Sequence, residues 1–197
     1  MAFDHNITLP LICISLVGVL VLISECTFRR AEPVSYWISI LGLTVTGLLI
    51  FPGLTPLTGL PAVTSAGGLF CLIFVVAALM TVIFSRDYLR RNGGVQGEYY
   101  LMVLFSVAGM TLMAVAQDLV MLFLGLELMS ICLYVLAGYI RKRVSGNEAS
   151  LKYFLLGAFI TGFILYGIAL VYGSTGSLSI APLVERMQTP GQPLLLW

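Results

Sequence analysis

One acidic side chain in the interior of an apolar segment is the residue best placed to carry chemistry. Glu127 lies nine residues after Asp118 and twelve before Tyr139. In a helix that rises 1.5 Å per residue, it therefore lies about 14 Å and 18 Å from those two ends, near the middle of a bilayer. An ionised group at that depth costs roughly 2.5 to 3.5 kcal/mol on insertion scales. The pattern indicates a group that gains and loses a proton during transport; the alternative is a permanently protonated acid that fastens two helices together.

Lys152 is the second candidate. It lies near the start of a later apolar segment, and the twenty residues that follow it carry no charge. A lysine there can extend its flexible stem to the aqueous surface, or it can meet Glu127 or the water leading to it. At 4 Å and an effective dielectric near 20, such a pair would interact by roughly 4 kcal/mol, enough to switch the protonation of the acid. Ser130 and Tyr134 share the face of Glu127 and are predicted to order water.

Transmembrane helices are the elements that must position these groups. Of the 197 residues, 59% are hydrophobic and 10% are charged, which is too little charge to cover a soluble domain. Because the hydrocarbon core of a bilayer is about 30 Å thick, each spanning helix needs about 20 apolar residues. The sequence predicts an all-α integral membrane fold with about six transmembrane helices. The predicted spans lie near residues 9–28, 34–51, 66–85, 99–116, 118–139 and 149–172.

The positive charges predict the orientation of the chain. Eight of its ten cations follow the first, third or fifth span. Because cytoplasmic loops are enriched in Lys and Arg, we expect the N-terminus outside and the basic loops in the cytoplasm. These eight cations are Arg29, Arg30, Arg86, Arg90, Arg91, Arg141, Lys142 and Arg143.

Local patterns refine the sixth helix. Ser145 and Glu148 stand in a Ser-x-x-Glu capping arrangement, which predicts a helix that begins near Gly146. Ala158 and Gly162 lie four residues apart, a spacing that permits close approach of another helix. The four cysteines fall in apolar runs without paired spacing, so neither a disulfide framework nor a metal site is indicated.

The last residues, 193–197, look like the opening of a further apolar run. We interpret residues 1–197 as a single transmembrane domain that is truncated at the start of a possible seventh span. The first span lacks a convincing cleavage site after it, so we expect it to be retained.

Four stretches resemble a known family: EYYLMVLFSVAGMTLMAVAQ at 98–117, DLVMLFLGLELMSICLYVLAGY at 118–139, SGNEASLKYFLLGAF at 145–159 and GFILYGIALVYGSTGS at 162–177. They are similar to subunit N of the bacterial proton-translocating NADH:quinone oxidoreductase, respiratory complex I, an antiporter-like subunit. The chain resembles about the N-terminal two-fifths of such a subunit.

The resemblance implies roles for both ionisable candidates. In that family, a glutamate of the fifth helix and lysines of the membrane interior form a proton-transfer axis. Glu127 within GLELMS and Lys152 within ASLKYFLLGAF match them. The implied protein is a translocase subunit without its own redox centre, in the inner membrane of a bacterium. NADH, quinone, FMN and iron–sulfur clusters would belong to the complex, and the partners would be its other membrane subunits and the lipid bilayer, not nucleic acid.

Two alternatives stay open at this point. A subunit of a related cation/proton antiporter or membrane-bound hydrogenase would use the same glutamate and lysine for proton transfer, but without quinone. A fragment that inserts and packs without transporting protons is the third interpretation.

Overall fold

The computed structural model describes residues 5–27, 32–50, 66–93 and 96–188. Six of its helices are long and apolar enough to cross a membrane, which confirms the predicted all-α membrane fold. Arg29, Arg30 and the apolar run at 193–197 lie outside the described residues, and the predicted orientation stays a prediction. The helices are α1 (His5–Thr27), α2 (Glu32–Ile50), α3 (Ala66–Asn92), α4 (Gln96–Ala114), α5 (Leu119–Ala137), α6 (Val144–Thr175) and α7 (Ile180–Gln188).

Helix α4 is the centre of the packing. It contacts α1, α2, α3 and α5, whereas α6 packs mainly against α5. Tyr100 and Leu104 of α4 are fully buried, and Ile14 and Val21 of α1 belong to the same core. Helix α6 has no buried residue in the described structure. The site described below therefore lies at the edge of the bundle, where α5 packs between the buried helix α4 and the exposed helix α6.

A glycine contact sets the distance between α4 and α5. A Cβ built on Gly109 would lie 2.6 Å from the backbone nitrogen of Met129 and 2.7 Å from the carbonyl oxygen of Gly125. A Cβ on Gly125 would lie 2.8 Å from the carbonyl oxygen of Gly109. The two backbones therefore touch, which only residues without a side chain allow. By contrast, a Cβ on Gly162 of α6 would meet nothing within 4 Å among the described residues, so the close approach predicted there is not seen.

The predicted cap of α6 is wrong. The helix begins at Val144, so Ser145 lies within its first turn, and the N-cap residue Arg143 makes no side-chain capping hydrogen bond. Glu148, which a capping box would turn back toward the helix start, instead accepts a hydrogen bond from Lys152 at 2.5 Å. An ion pair one helical turn apart thus replaces the capping contact, because both groups already lie on the same face.

Two of the predicted basic loops lie at the same end of the bundle. The guanidinium of Arg143 donates to Asn92 Oδ1 at 2.6 Å and to the Tyr88 hydroxyl at 3.3 Å, which joins the end of α3 to the start of α6. We call this the basic end; it carries the cations of α3 at 86–91 and those at 141–143.

At the opposite end, the α4–α5 connection pairs with the segment that follows α6. The backbone nitrogen of Leu119 donates to Leu178 at 3.0 Å, and that of Ile180 donates to Gln117 at 3.0 Å. Residues 180–188, which follow the last predicted span, form the short helix α7. Their polar and apolar residues separate onto two faces, a pattern that stabilises a short helix at an interface rather than across a membrane.

The carboxylate of Glu25 fastens three helices at their ends. It accepts a hydrogen bond from the hydroxyl of Ser35, which is fully buried in α2. It also lies against Gly97 in the first turn of α4, where a Cβ would overlap it. Negative charge is stabilised near a helix N-terminus, so this contact favours the observed packing of α1 on α4.

We expect Gly97→Ala to destabilise the protein by about 1 to 3 kcal/mol, because the added methyl group must displace the Glu25 carboxylate. Alanine gains up to about 1 kcal/mol over glycine in a helix, which works against this loss. Gly173→Ala is the matched control, since a Cβ there meets nothing within 4 Å in the described structure. Thermal loss of helical circular dichroism in detergent measures both. If Gly97→Ala and Gly173→Ala stabilised the protein equally, the Glu25 carboxylate would not be held against Gly97 as the structure shows.

Candidate functional site

The carboxyl group of Glu127 is held between two helices. Glu127 is half-buried in α5, and the Thr161 hydroxyl of α6 donates a hydrogen bond to its Oε1 at 2.8 Å. No other acid or base of the Asp, Glu, Lys, Arg type occurs in α5. A polar hydrogen-bonding pair thus lies in the interior of the predicted bilayer, where each unsatisfied polar group costs several kcal/mol.

Two local features fix the position of Glu127. The carboxylate of Asp118 caps α5 by accepting from the backbone nitrogen of Met121 at 2.7 Å, which sets where the helix begins. Gly125 then locks the helix against α4. Glu127 follows Gly125 by two residues, about 200° around the helix, so its side chain leaves the face opposite α4 and reaches Thr161.

The two predicted water-ordering residues lie in the same region. Ser130 is buried, with 8% of its surface exposed. Tyr134 packs edge-on against Tyr153, with ring centroids 4.8 Å apart, and its hydroxyl lies against the backbone of Gly157. Gly157 precedes Thr161 by one helical turn, so the Tyr134 hydroxyl and the Glu127 carboxyl group contact α6 about 6 Å apart along its axis. A water-ordering role for both residues stays a prediction.

The structure does not bring Lys152 to Glu127. Its ammonium group pairs with Glu148 at 2.5 Å, and its side chain is 74% exposed. Thr161, the residue of α6 that contacts Glu127, lies nine residues further along, about 14 Å away at the α-helical rise. Lys152 therefore belongs to the basic end of α6 in this structure, and its predicted role in proton transfer is untested.

Thr161 is the site residue that the sequence analysis missed. A threonine within an apolar run usually bonds to a carbonyl of its own helix, so its presence does not mark a site. The indication available in the sequence was weak: Gly157 and Thr161 place two small residues on one face of α6, where another helix can approach.

We expect Thr161→Val to change the hydrogen bonding of the Glu127 carboxyl group while leaving the helices in place, because valine has nearly the same shape but no hydroxyl. Difference infrared spectroscopy, with the Glu127 band identified by its loss in Glu127→Gln, measures the carboxyl stretch. The band should shift in Thr161→Val and return in Thr161→Ser. An unchanged band in Thr161→Val would show that this hydroxyl does not bond the acid.

A polar cleft lies at the basic end, beyond the α5 span. It has a volume of about 350 Å³ and is lined by Tyr88, Tyr99, Tyr139, Arg143 and Ser145 among others. Burial, followed by the nearby Glu98 carboxylate, raises the pKa of Tyr139, so its hydroxyl stays protonated at neutral pH. The cleft thus presents hydroxyl groups, which can hold water, at one end of the helix that carries Glu127.

Comparison with known proteins supplies the family. A sequence profile described as NADH:quinone oxidoreductase/Mrp antiporter, TM, matches residues 116–196. NADH-quinone oxidoreductase subunit N of Trichlorobacter lovleyi is 39% identical over 191 residues, which cover 94% of this chain and 39% of that protein. Subunit N 1 of Chloroherpeton thalassium is 39% identical over 192 residues, covering 95% of this chain and 40% of that protein. The chain thus spans about two-fifths of the length of these relatives.

Solved structures share the fold. Respiratory complex I from Thermus thermophilus contains a chain that superposes with a TM-score of 0.74 at 32% identity, covering 94% of this chain and 40% of that one. A chain of the membrane-bound sulfane sulfur reductase, an archaeal respiratory membrane complex, superposes with a TM-score of 0.73 at 25% identity, covering 92% of this chain and 39% of that one.

The fold and the site together define a class: multi-pass helical membrane proteins with a hydrogen-bonded acid between two neighbouring membrane-spanning helices. Within that class, the chain is similar over most of its length to NADH-quinone oxidoreductase subunit N and its antiporter-like relatives. The family resemblance predicted from the sequence is confirmed.

Proposed function

We propose that this chain contributes to proton translocation coupled to electron transfer from NADH to quinone, with Glu127 as the group that gains and loses the proton. The observation that carries the proposal is the hydrogen bond from Thr161 to Glu127 between α5 and α6. The names of the relatives support the coupled reaction.

Thr161 suits an acid that changes its protonation state. A hydroxyl group can donate to an ionised carboxylate and can also accept from a protonated carboxyl group. Glu127 can therefore keep a partner in both states, which reduces the cost of ionisation in hydrocarbon. The approach of a cation would favour the ionised form, and its withdrawal would favour proton uptake.

Three further residues complete the proposed path. Lys152 would act at the basic end, as an electrostatic modulator or as a relay of protons from the cytoplasmic side. Ser130 and Tyr134 would order water near Glu127. The exposed position of Lys152 and its ion pair with Glu148, one turn closer to the basic end, support a role at the aqueous end rather than beside the acid.

The redox chemistry is proposed to belong to partner subunits. NADH, FMN, iron–sulfur clusters and quinone would be bound there, and this chain would be one of several membrane subunits of complex I in the inner membrane of a bacterium. Its own part in the oxidoreductase would be movement of protons through the bilayer.

We also propose that the N-terminus lies outside and the basic end faces the cytoplasm, within a single transmembrane domain. The contacts of Arg143 with Asn92 and Tyr88 support this orientation, because they place cations from two loops at one end.

Inverted membrane vesicles that contain the whole assembly separate the alternatives. Proton uptake that requires both NADH and quinone supports the proposed function. A pH gradient that forms in response to sodium, without NADH or quinone, would instead support the cation/proton antiporter. An assembly whose proton uptake is independent of Glu127 would support a packing role alone.

A further inference from the structure

A second cleft at the basic end has no part in the proposed proton path. It has a volume of about 490 Å³ and lies between the N-terminal half of α4 and the C-terminal end of α5. Its lining residues include Glu98, Leu101, Val135, Arg141 and Lys142. Arg141 and Lys142 follow the α5 span, which ends at Ala137, so their charges lie at the level of the membrane surface.

The charges in this cleft are of both signs. Arg141, Lys142 and Glu98 are all exposed. The one ion pair in the described part of the chain joins Lys152 to Glu148, so Glu98 is not paired with either cation of the cleft. The cleft therefore offers two donors to an anionic group and, separately, one acceptor to a cationic group.

An apolar stripe leads from the cleft into the hydrocarbon region. Val135, Ile131 and Leu124 are 45%, 54% and 55% exposed, and their spacing places them on one face of α5. Leu124 and Val135 lie eleven positions apart, so the stripe is about 17 Å long at the α-helical rise, which is close to half the thickness of a bilayer core. This length matches an extended acyl chain that begins at the cleft.

We propose that the cleft binds a phosphatidylethanolamine molecule, whose phosphate contacts Arg141 and Lys142 and whose ammonium group contacts Glu98. One acyl chain would follow the stripe on α5. The charge pattern favours this lipid over others. Phosphatidylglycerol has the phosphate but leaves Glu98 facing an anionic headgroup, and phosphatidylcholine has a cation without the N–H donors that a carboxylate accepts.

Native mass spectrometry of the delipidated chain in detergent tests the proposal, with dioleoyl forms of the three phospholipids titrated in turn. We expect phosphatidylethanolamine to bind with the highest affinity. Arg141→Gln combined with Lys142→Gln should weaken its binding about 25-fold, since each interfacial cation contributes on the order of fivefold. Glu98→Gln should remove the preference for phosphatidylethanolamine over phosphatidylglycerol.

The control is Arg90→Gln combined with Arg91→Gln, which removes two exposed cations of α3 that do not line the cleft. It should leave the affinity for phosphatidylethanolamine within about twofold, less than the effect of one interfacial cation. Equal weakening by both pairs would show diffuse attraction and overturn the proposal, as would tighter binding of phosphatidylglycerol to the wild-type chain. Displacement of the lipid by inorganic phosphate would also overturn it. If the Arg141 and Lys142 variant fails to fold by circular dichroism, the lipid preference of Glu98→Gln decides.

Discussion

Glu127→Gln should reduce NADH-driven proton uptake by about tenfold or more, because a positioned acid contributes roughly 10² to 10⁴ to a proton-transfer step. Glutamine keeps the shape of the side chain and can accept the hydrogen bond from Thr161, so the packing of α5 on α6 should be retained. The measurement is the initial rate of proton uptake by inverted vesicles, normalised to the amount of assembled complex.

The matched control for this substitution is Asp87→Asn, which neutralises an exposed acid of α3. It removes the same charge from the chain without touching the α5–α6 pair, so we expect proton uptake close to that of the wild type. The rate of proton uptake by Thr161→Val should lie between those of Glu127→Gln and Asp87→Asn, because the Glu127 carboxyl group remains but loses its hydrogen-bond donor. Wild-type proton uptake by Glu127→Gln, with normal assembly, would mean that this carboxyl group only fastens helices.

The largest effect on stability is expected for Gly125→Leu. A leucine side chain at this position must displace the backbone of α4, since a single Cβ already lies 2.8 Å from the Gly109 carbonyl oxygen. Overpacking costs typically 1 to 3 kcal/mol when side chains can adjust. Here the obstacle is a backbone, so we expect a loss of about 3 kcal/mol or more. The midpoint of unfolding in a mixed-detergent titration, followed by circular dichroism, measures it.

Gly162→Leu provides the comparison for Gly125→Leu. It adds the same side chain to a helix of similar hydrophobicity, but in the described structure a Cβ at Gly162 meets nothing within 4 Å. Its unfolding midpoint should match or exceed that of the wild type, because leucine has a higher helix propensity than glycine. If the two variants were destabilised equally, the glycine contact between α4 and α5 would not be what holds the helices together.

The sequence by itself determined the class of fold and the depth of the acid. Both depend on distance along the chain: a bilayer of fixed thickness sets the length of each apolar run, and helical rise converts the position of Glu127 into depth. The same one-dimensional reasoning was less successful at helix ends. The prediction that Ser145 and Glu148 cap α6 was wrong because Lys152, one turn along the same helix face, gives Glu148 a closer partner.

Only the tertiary structure decided which faces meet. Membrane helices such as α5 are apolar on all sides, so no amphipathic pattern shows which face contacts protein and which contacts lipid. The close contact therefore fell at Gly109 and Gly125 rather than at Gly162, and the partner of Glu127 proved to be Thr161 rather than Lys152. The rotation of each helix about its axis is fixed by packing against its neighbours, and that packing has no counterpart in residue spacing along a uniformly apolar chain.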